Sequence, residues 1–200
     1  MGVSNMSSVF DKIAPFYGLF YNFQKRHYHR ILDNIKDQLD LSEYESILDI
    51  GSGTGALCSV LNDRGFSVSG VELSHKMMEV AKVKTSGEDI PFYNASVLER
   101  LPFEDKSFDI TISSYVAHGL GPNDRKTMYE EMKRVTRELV IIYDYNENRA
   151  PHTTIIEWLE RGDYFNFIRV IKKEMGENFH SYRTIQVGER ATLYIGEVSE

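Results

Sequence analysis

Apolar residues recur along this chain in short blocks of two different kinds. Five apolar-rich runs have the length of strands: residues 46–50, 67–72, 90–94, 109–114 and 138–144. Between them, three longer segments with helical spacing predict helices: residues 55–64, 74–85 and 123–136. Strands that alternate with helices predict a parallel sheet covered by helices on both faces. The pattern therefore predicts an α/β fold.

The regions before and after this alternating part have their own patterns. Tyr28, Ile31, Leu32, Ile35 and Leu39 recur at three- and four-residue spacing and predict an amphipathic helix ahead of the first strand. In the tail, Ile155, Ile156, Trp158 and Leu159 predict a helix that Gly162 interrupts and that resumes over Tyr164 to Lys173. Two β-rich runs, 179–187 and 191–198, flank Gly188 and predict a final hairpin.

Three alternating glycines follow the first predicted strand. Residues 47–55 read Ile-Leu-Asp-Ile-Gly-Ser-Gly-Thr-Gly, so that Gly51, Gly53 and Gly55 lie in a strand-to-helix turn. Glycine permits positive φ and close backbone approach, and the N–H groups that open the next helix are suited to an anionic or polar ligand. The pattern Gly51-x-Gly53-x-x-Ala56 also satisfies the dinucleotide-binding fingerprint. The turn indicates a nucleotide-like ligand without naming it.

Two acidic residues help to distinguish between the possible classes of ligand. Glu72 ends the second predicted strand, where a carboxylate can hold two ribose hydroxyls, and this suits both ligand classes. Asp49 lies inside the first strand, which dinucleotide enzymes usually keep apolar. A buried carboxylate requires a partner, and a bound ammonium group could serve. Asp49 therefore favours a ligand with an ammonium group.

With these positions and two further segments, the chain resembles the class I S-adenosylmethionine-dependent methyltransferases, particularly the UbiE-like and methyltransferase type 11 group. The resemblance rests on Asp49 to Gly55, on Val71-Glu72-Leu73-Ser74, and on Leu101 to Asp109, which is similar to the family's segment ahead of strand four. Tyr115 to His118 and Phe10 to Tyr17 are weaker matches. The matching segments span roughly residues 10 to 145.

The resemblance implies a Rossmann-like three-layer αβα sandwich with a seven-stranded, mostly parallel sheet whose antiparallel last strand is inserted between strands five and six. It also implies S-adenosyl-L-methionine as cofactor and no metal. The residues that it assigns to cofactor binding are Asp49, Gly51, Ser52, Gly53, Gly55, Glu72, Leu73, Met77, Ser96, Val97 and Ser113. Ser96 and Val97 depart from the family, because many relatives have Asp-Ala or Asp-Val ahead of the leucine that corresponds to Leu101.

The implied reaction transfers methyl from a sulfonium to a small-molecule nucleophile, and only a hydroxyl or carbon acid requires a base. His118 is the first candidate, since a histidine titrates near neutral pH. Tyr115 and Tyr17 are further candidates, as are Tyr21, Tyr143 and Asp144. Lining of the pocket or hydrogen bonding to a loop is the alternative role for His118.

The composition of the chain limits the kinds of partner and the compartment that we expect for it. The net charge of −7 argues against a sequence-independent grip on nucleic acid, and no run approaches the about 18 apolar residues of a membrane span. One cysteine, Cys58, excludes an internal disulfide, and the start lacks a signal peptide, so a cytoplasmic protein is expected. Cys58 is expected to be a buried structural thiol. The oligomeric state is left open.

We expect a single methyltransferase domain over residues 1–200. Its predicted parts are a helical lid (1–40), a cofactor-binding core (41–145), a variable helical cap (146–176) and a C-terminal hairpin (177–200). Two alternative functions stay open at this stage. The glycine pattern alone also suits a nicotinamide-dependent oxidoreductase, and the cofactor motif alone also suits a catalytically silent S-adenosylmethionine-binding adaptor.

Overall fold

The structure is a computed structural model that describes Asp11, Ala14, residues 18–148 and residues 163–199. The chain divides into two compact units, Met1–Ser96 and Val97–Glu200. Tyr17 and Trp158, which the sequence singles out, lie outside the described residues, as does the helix predicted over residues 155–159. No helix in the described part of the chain is both long and apolar enough to cross a membrane.

The first unit alternates helices with parallel strands. Its elements are α1 (Tyr21–Ile35), β1 (Ser46–Ile50), α2 (Ala56–Asp63), β2 (Ser67–Glu72), α3 (His75–Lys84) and β3 (Phe92–Asn94). Strand β2 pairs in parallel with both β1 and β3. Strands β1 and β2 have the bounds that the sequence predicts, because the glycine turn follows β1 and the helix cap Ser74 follows β2, and both mark where a strand stops.

Helix α1 and strand β3 differ from the predicted bounds. Ile31, Leu32 and Ile35 are buried on α1 as predicted, but the helix ends at Ile35 and Leu39 is buried in the turns that follow it. Strand β3 begins at Phe92, because Gly70 on β2 pairs with Phe92 and Pro91 has no backbone N–H to extend the ladder.

The second unit contains the predicted hairpin. Its elements are β4 (Phe108–Ser114), α4 (Pro122–Val135), β5 (Thr136–Tyr145), α5 (Tyr164–Asn178), β6 (Ser181–Gln186) and β7 (Ala191–Glu197). Strand β4 is parallel to β5, and β7 runs antiparallel between β5 and β6. The predicted insertion of the last strand is confirmed.

Two elements of this unit are longer than the sequence predicts. Helix α5 continues past Lys173 to Asn178, since Met175 is fully buried and supplies one more apolar turn. Strand β5 begins at Thr136 directly after α4, with the Thr136 hydroxyl bonded to the Met132 carbonyl at 2.6 Å. Gly196 of β7 leaves room for the Phe179 ring, which would lie 2.4 Å from a Cβ at this position.

Candidate cofactor and acceptor site

The glycine turn between β1 and α2 has the backbone that its sequence requires. Gly51, Gly53 and Gly55 have φ values of 73°, 55° and 77°, a region that L side chains rarely adopt. The N–H groups of Gly51 and Ser52 both donate to the Val71 carbonyl, at 2.8 and 3.0 Å. A Cβ at Gly53 would have no neighbour within 4 Å. The turn is thus tied to the end of β2 while its middle lies open to a ligand.

Glu72 faces this turn from the end of β2. Its Oε2 accepts from the Gly53 N–H at 2.8 Å and its Oε1 from the Ser74 N–H at 2.7 Å. Burial raises the pKa of Glu72, and these backbone hydrogen bonds oppose the rise. Asn94, opposite Glu72 on β3, donates to the carbonyls of Glu72 and Leu73 at 2.8 and 2.9 Å. The structure therefore brings Glu72 to Gly53, as the sequence predicts.

Asp49 is buried on β1 and its two carboxyl oxygens have different surroundings. Oδ2 accepts from the Cys58 thiol at 3.2 Å, whereas Oδ1 has no hydrogen-bond partner among the described residues. Burial raises the pKa of Asp49 to about 7, and the nearby charge of Glu72 adds to the rise. A carboxyl in this setting is suited to a cationic ligand.

Ser52 supplies a second buried polar atom in the turn. Its Oγ has no hydrogen-bond partner in the described part of the chain. It lies against Gly70 of β2, where an added Cβ would come within 2.9 Å of this hydroxyl and 2.6 Å of the Phe92 ring. Gly70 thus makes room for Ser52 and Phe92, a role that the strand pattern did not reveal.

The remaining predicted cofactor residues of this unit lie near the start of α3 or at the end of the unit. Ser74 caps α3 by accepting from the Met77 N–H at 3.2 Å, and the Met77 side chain is buried. Leu73, between Glu72 and Ser74, is half-buried, and Ser96 is buried. Their contacts with a cofactor stay predictions.

Two residues of the N-terminal region contact these elements, and sequence reasoning did not identify either as a site residue. Asp11 Oδ1 accepts from the Ser74 hydroxyl at 2.6 Å. Gln24 on α1 accepts from the Thr54 hydroxyl of the glycine turn at 3.1 Å. The only sequence signal was the family resemblance of the segment around Asp11, because contacts between residues 30 and 63 positions apart leave no local pattern.

In the second unit, His118 pairs with Asp144. His118 lies in a short 3-10 helix after β4 and its Nδ1 is 2.8 Å from Asp144 Oδ1. The buried carboxylate also accepts from the backbone N–H groups of His118 and Tyr145, at 3.1 and 2.8 Å. Because Asp144 acts as acceptor throughout, we assign the imidazole proton to Nδ1, which makes Nε2 the basic ring nitrogen.

Aromatic rings surround this pair. Tyr145 and Tyr115 meet the His118 ring edge-on, at centroid distances of 4.9 and 6.4 Å, and Phe167 of α5 lies at 6.5 Å. The Tyr115 hydroxyl donates to that of Tyr143 at 3.1 Å. Tyr115 has a φ of 55°, uncommon for an aromatic residue, and burial raises its pKa. The structure thus places Tyr115 beside His118, and the catalytic roles of both stay predictions.

Arg125 of α4 fixes the position of α5 beside these rings. The fully buried guanidinium donates to both carboxylate oxygens of Glu174, at 2.8 Å each, and to Asp163 at 2.7 Å. It also lies over the Phe167 ring, 5.6 Å from the centroid. The charges on α4 gave no sign that Arg125 is buried, because a helical arginine is usually solvated.

The segment that resembles the family's approach to strand four is held by side chains of α4. Arg134 donates to the carbonyls of Leu101 and Phe103 and to Asp105, at 3.2, 2.9 and 2.7 Å. Glu131 accepts from the Leu101 N–H at 2.7 Å. Of the remaining predicted residues, Val97 is buried, and Ser113 on β4 has a buried hydroxyl with no hydrogen-bond partner among the described residues.

Comparison with known proteins shows that this chain is similar to methyltransferases. The methyltransferase domain family matches residues 48–143. A demethylmenaquinone methyltransferase of Paenarthrobacter aurescens is 34% identical over 66% of this chain and 51% of its own length. An uncharacterised protein of Methanocaldococcus jannaschii is 31% identical over 84% of this chain and 61% of its own length. The chain thus spans between half and two thirds of these relatives.

Solved structures give the fold. A Methanococcus maripaludis protein described as an S-adenosyl-L-methionine-dependent methyltransferase has a TM-score of 0.72 and 20% identity, covering 95% of this chain and 94% of that one. The predicted fold class, a Rossmann-like sandwich with a seven-stranded, mostly parallel sheet, is confirmed. The chain is thus similar to methyltransferases, with the match to the methyltransferase domain lying over residues 48–143. The matches do not favour the oxidoreductase or the adaptor.

The residues of the first unit fit S-adenosyl-L-methionine, the cofactor that the sequence predicts. Asp49 Oδ1 is a buried acceptor suited to an ammonium group, and the Ser52 hydroxyl is suited to a carboxylate. Gly53 exposes backbone where a side chain would stand. Among the described residues no group of His, Cys, Asp and Glu could hold a metal ion.

Proposed function

We propose that this protein binds S-adenosyl-L-methionine and transfers its methyl group to a small-molecule acceptor. The observation that carries the proposal is the pair of buried polar atoms beside the open glycine turn, Asp49 Oδ1 and Ser52 Oγ. Buried polar groups in native proteins are nearly always hydrogen-bonded, so two of them beside one turn indicate a polar ligand there. The small-molecule acceptor is supported by the demethylmenaquinone methyltransferase among the relatives.

The first unit has the chemistry to bind and orient the cofactor. Asp49 would hold the ammonium group, Glu72 the ribose hydroxyls, and Gly51, Ser52 and Gly53 the methionine portion. When bound, the cofactor supplies an electrophilic methyl group on a sulfonium, which is a good leaving group. The protein's own contribution is orientation, which accounts for roughly 7 to 11 kcal/mol of barrier reduction in favourable cases.

In the second unit we propose His118 as the general base and Asp144 as the residue that positions it. Asp144 fixes the imidazole with its proton on Nδ1, so that Nε2 can take a proton from a hydroxyl or an acidic carbon of the acceptor. The buried carboxylate also stabilises the imidazolium that results. Val97, Ser113 and Tyr17 keep the roles that the family resemblance implies, as proposals.

The N-terminal region, which the sequence assigns to a lid, is proposed to order the cofactor site. This is supported by the hydrogen bonds of Asp11 to Ser74 and of Gln24 to Thr54, which attach that region to the start of α3 and to the glycine turn. A cytoplasmic location is proposed as well, supported by the single buried thiol.

The test is an assay of a metabolite extract with methyl-labelled S-adenosylmethionine, with the labelled product identified by mass spectrometry. Binding of S-adenosylhomocysteine, measured by calorimetry, accompanies it. Binding together with a labelled small molecule supports the proposal. Binding without labelled product at any pH would show an adaptor instead, and no binding would refute the cofactor assignment.

With the acceptor in hand, His118→Gln is expected to lower kcat at least about a hundredfold while cofactor affinity stays within about twofold. Asp144→Asn is expected to lower kcat by a smaller factor and to shift its pH profile, because the amide no longer fixes the Nδ1 proton. His180→Gln is the matched control, since His180 is exposed. Equal kcat in the His118 and His180 variants would remove the base role.

A further inference from the structure

The two oxygens of the Asp49 carboxyl are made unlike by a single thiol. Cys58 Sγ lies 3.2 Å from Oδ2, while Oδ1 has no partner among the residues that the structure describes. Asp49 is 1% exposed and Cys58 is fully buried, so water does not equalise the two oxygens. The local geometry thus distinguishes one oxygen that is bonded within the protein from one that can bind a ligand.

The thiol is the donor in this contact. Burial raises the pKa of Cys58 well above its ordinary value, and the charge of Asp49 raises it further, so the sulfur keeps its proton. Cys58 stands on the first turn of α2, directly after the glycine turn, and Asp49 stands on β1 directly before it. The hydrogen bond therefore joins the two elements that flank the glycine turn.

We propose that Cys58 is a positioning residue for the cofactor: its thiol occupies Asp49 Oδ2, holds the carboxyl plane, and leaves Oδ1 as the oxygen that receives the ammonium group. The proposal rests on the proposed function, because it concerns the same ligand. The family match identifies the cofactor class but assigns nothing to Cys58. A thiol suits this role since it fills an apolar space like a small hydrophobic group and still has one weak donor.

The charges around Asp49 explain why a weak donor suffices. Cys58 of α2 and Glu72 at the end of β2 are the ionisable groups that act on Asp49, and Glu88 acts on Cys58 in turn. None of these groups is a cation. The ligand-free carboxyl, with a pKa of about 7, is therefore protonated below that pH and gives up its proton when a cation binds, and the thiol makes that release easier by stabilising the carboxylate.

The test compares Cys58→Ala with Cys58→Ser, which restores a donor of similar size. Val60→Ala is the matched control, because Val60 is also fully buried on α2 and has no hydrogen-bonding group. Calorimetric affinities are measured from pH 5.5 to 8.5 for S-adenosylhomocysteine and for 5′-methylthioadenosine, which lacks the ammonium group. Thermal melting of each variant checks that it is folded.

Cys58→Ala is expected to weaken S-adenosylhomocysteine binding about fivefold at neutral pH and to move the midpoint of its pH profile upward, with methylthioadenosine unaffected. Cys58→Ser is expected to stay within about twofold of the wild type. An equal loss for both ligands, or the same loss in Val60→Ala, would overturn the positioning role. Wild-type protein that binds methylthioadenosine but not S-adenosylhomocysteine would overturn both this role and the proposed function.

A ligand-free measurement tests the hydrogen bond itself. The chain has one cysteine, so its S–H stretching band in the infrared belongs to Cys58. The band is expected at lower wavenumber in the wild type than in Asp49→Ala, where the acceptor is removed. Identical bands would show that the thiol makes no such bond, and this result would overturn the positioning role even if the cofactor still binds.

Discussion

At the scale of single residues, Glu72 is held by backbone and not by other side chains. Its carboxylate accepts from two N–H groups, one from the glycine turn and one from the start of α3. Backbone donors cannot rotate away, so they fix the carboxylate without competing for it as a long cationic side chain would. Glu72 is therefore preorganised for a ligand that approaches between β2 and the turn.

Glu72→Ala is expected to weaken S-adenosylhomocysteine binding at least about tenfold, because a charge-assisted hydrogen bond contributes roughly 1.5 to 3 kcal/mol. Titration calorimetry measures the change. Glu79→Ala is the control, since Glu79 has an exposed side chain on α3. An unchanged affinity in the Glu72 variant would contradict the ribose assignment.

Asp49 gives cofactor binding a pH dependence. Its pKa is about 7 in the ligand-free protein, and binding of an ammonium group lowers that value. Between the two values the acid must lose a proton before it can pair with the cation, so affinity falls as the pH drops below about 7 and is constant above it.

The measurement is the dissociation constant of S-adenosylhomocysteine between pH 5 and 8. The steepest expected fall is about tenfold per pH unit for one proton. Asp49→Asn has no proton to release and is expected to bind weakly with a flatter profile. A slope of equal steepness in Asp49→Asn would assign the dependence to another group.

At the scale of elements, the glycine turn requires both positive φ and space without a Cβ: Gly53 meets only the first requirement, and Gly55 meets both. Gly53 has a φ of +55° and open space around it. Gly55 has a φ of +77°, and a Cβ there would lie 3.0 Å from the Phe92 ring and 3.1 Å from the Ala81 Cβ. The first turn of α2 therefore requires glycine at position 55 for two reasons: the positive φ and the lack of space for a Cβ.

Alanine substitutions separate these demands. Gly87→Ala, at an open position without positive φ, is expected to change the free energy of unfolding by less than about 0.5 kcal/mol. Gly53→Ala is expected to cost about 1 to 2 kcal/mol through backbone strain alone. Gly55→Ala is expected to cost more, since crowding adds to the same strain. Urea unfolding measures the series, and equal losses at Gly53 and Gly55 would show that crowding contributes nothing.

At the scale of the whole molecule, the net charge of −7 is expected to weaken binding to polyanions such as DNA and RNA. Sequence-independent binding to DNA or RNA requires clustered cations that release counterions. The basic run around Arg26 and Arg30 does not provide such a cluster, because Lys25 and His29 within it face Asp63 at 2.9 and 3.4 Å. We therefore expect no sequence-independent binding to nucleic acid.

Fluorescence anisotropy with labelled duplex DNA and single-stranded RNA is expected to show no binding up to roughly 100 µM protein at physiological salt. A basic nucleic-acid-binding protein of similar size is the positive control. Saturable binding that weakens steeply with salt would contradict this expectation.

The sequence predicted those parts of the molecule that depend on neighbours along the chain. Strands β1 and β2, the positive φ of the three glycines and the approach of Glu72 to the turn follow from local periodicity and from glycine's lack of a Cβ. The pairings of His118 with Asp144 and of Asp11 with Ser74 join residues 26 and 63 positions apart, so they follow from tertiary packing. Arg125 could not be identified because its two carboxylate partners come from α5 and the residue before it.

Because the thiol of Cys58 is fully buried, its reactivity can also be used to measure local opening of the protein. A thiol reagent can reach this fully buried sulfur only when the structure around it opens locally, so the rate of modification in native buffer measures how often that region opens. S-adenosylhomocysteine should slow the reaction in proportion to its occupancy, because a ligand that binds only the closed form suppresses opening. Candidate acceptors and cofactor analogues could thus be ranked by protection of one sulfur atom, without any assay of turnover.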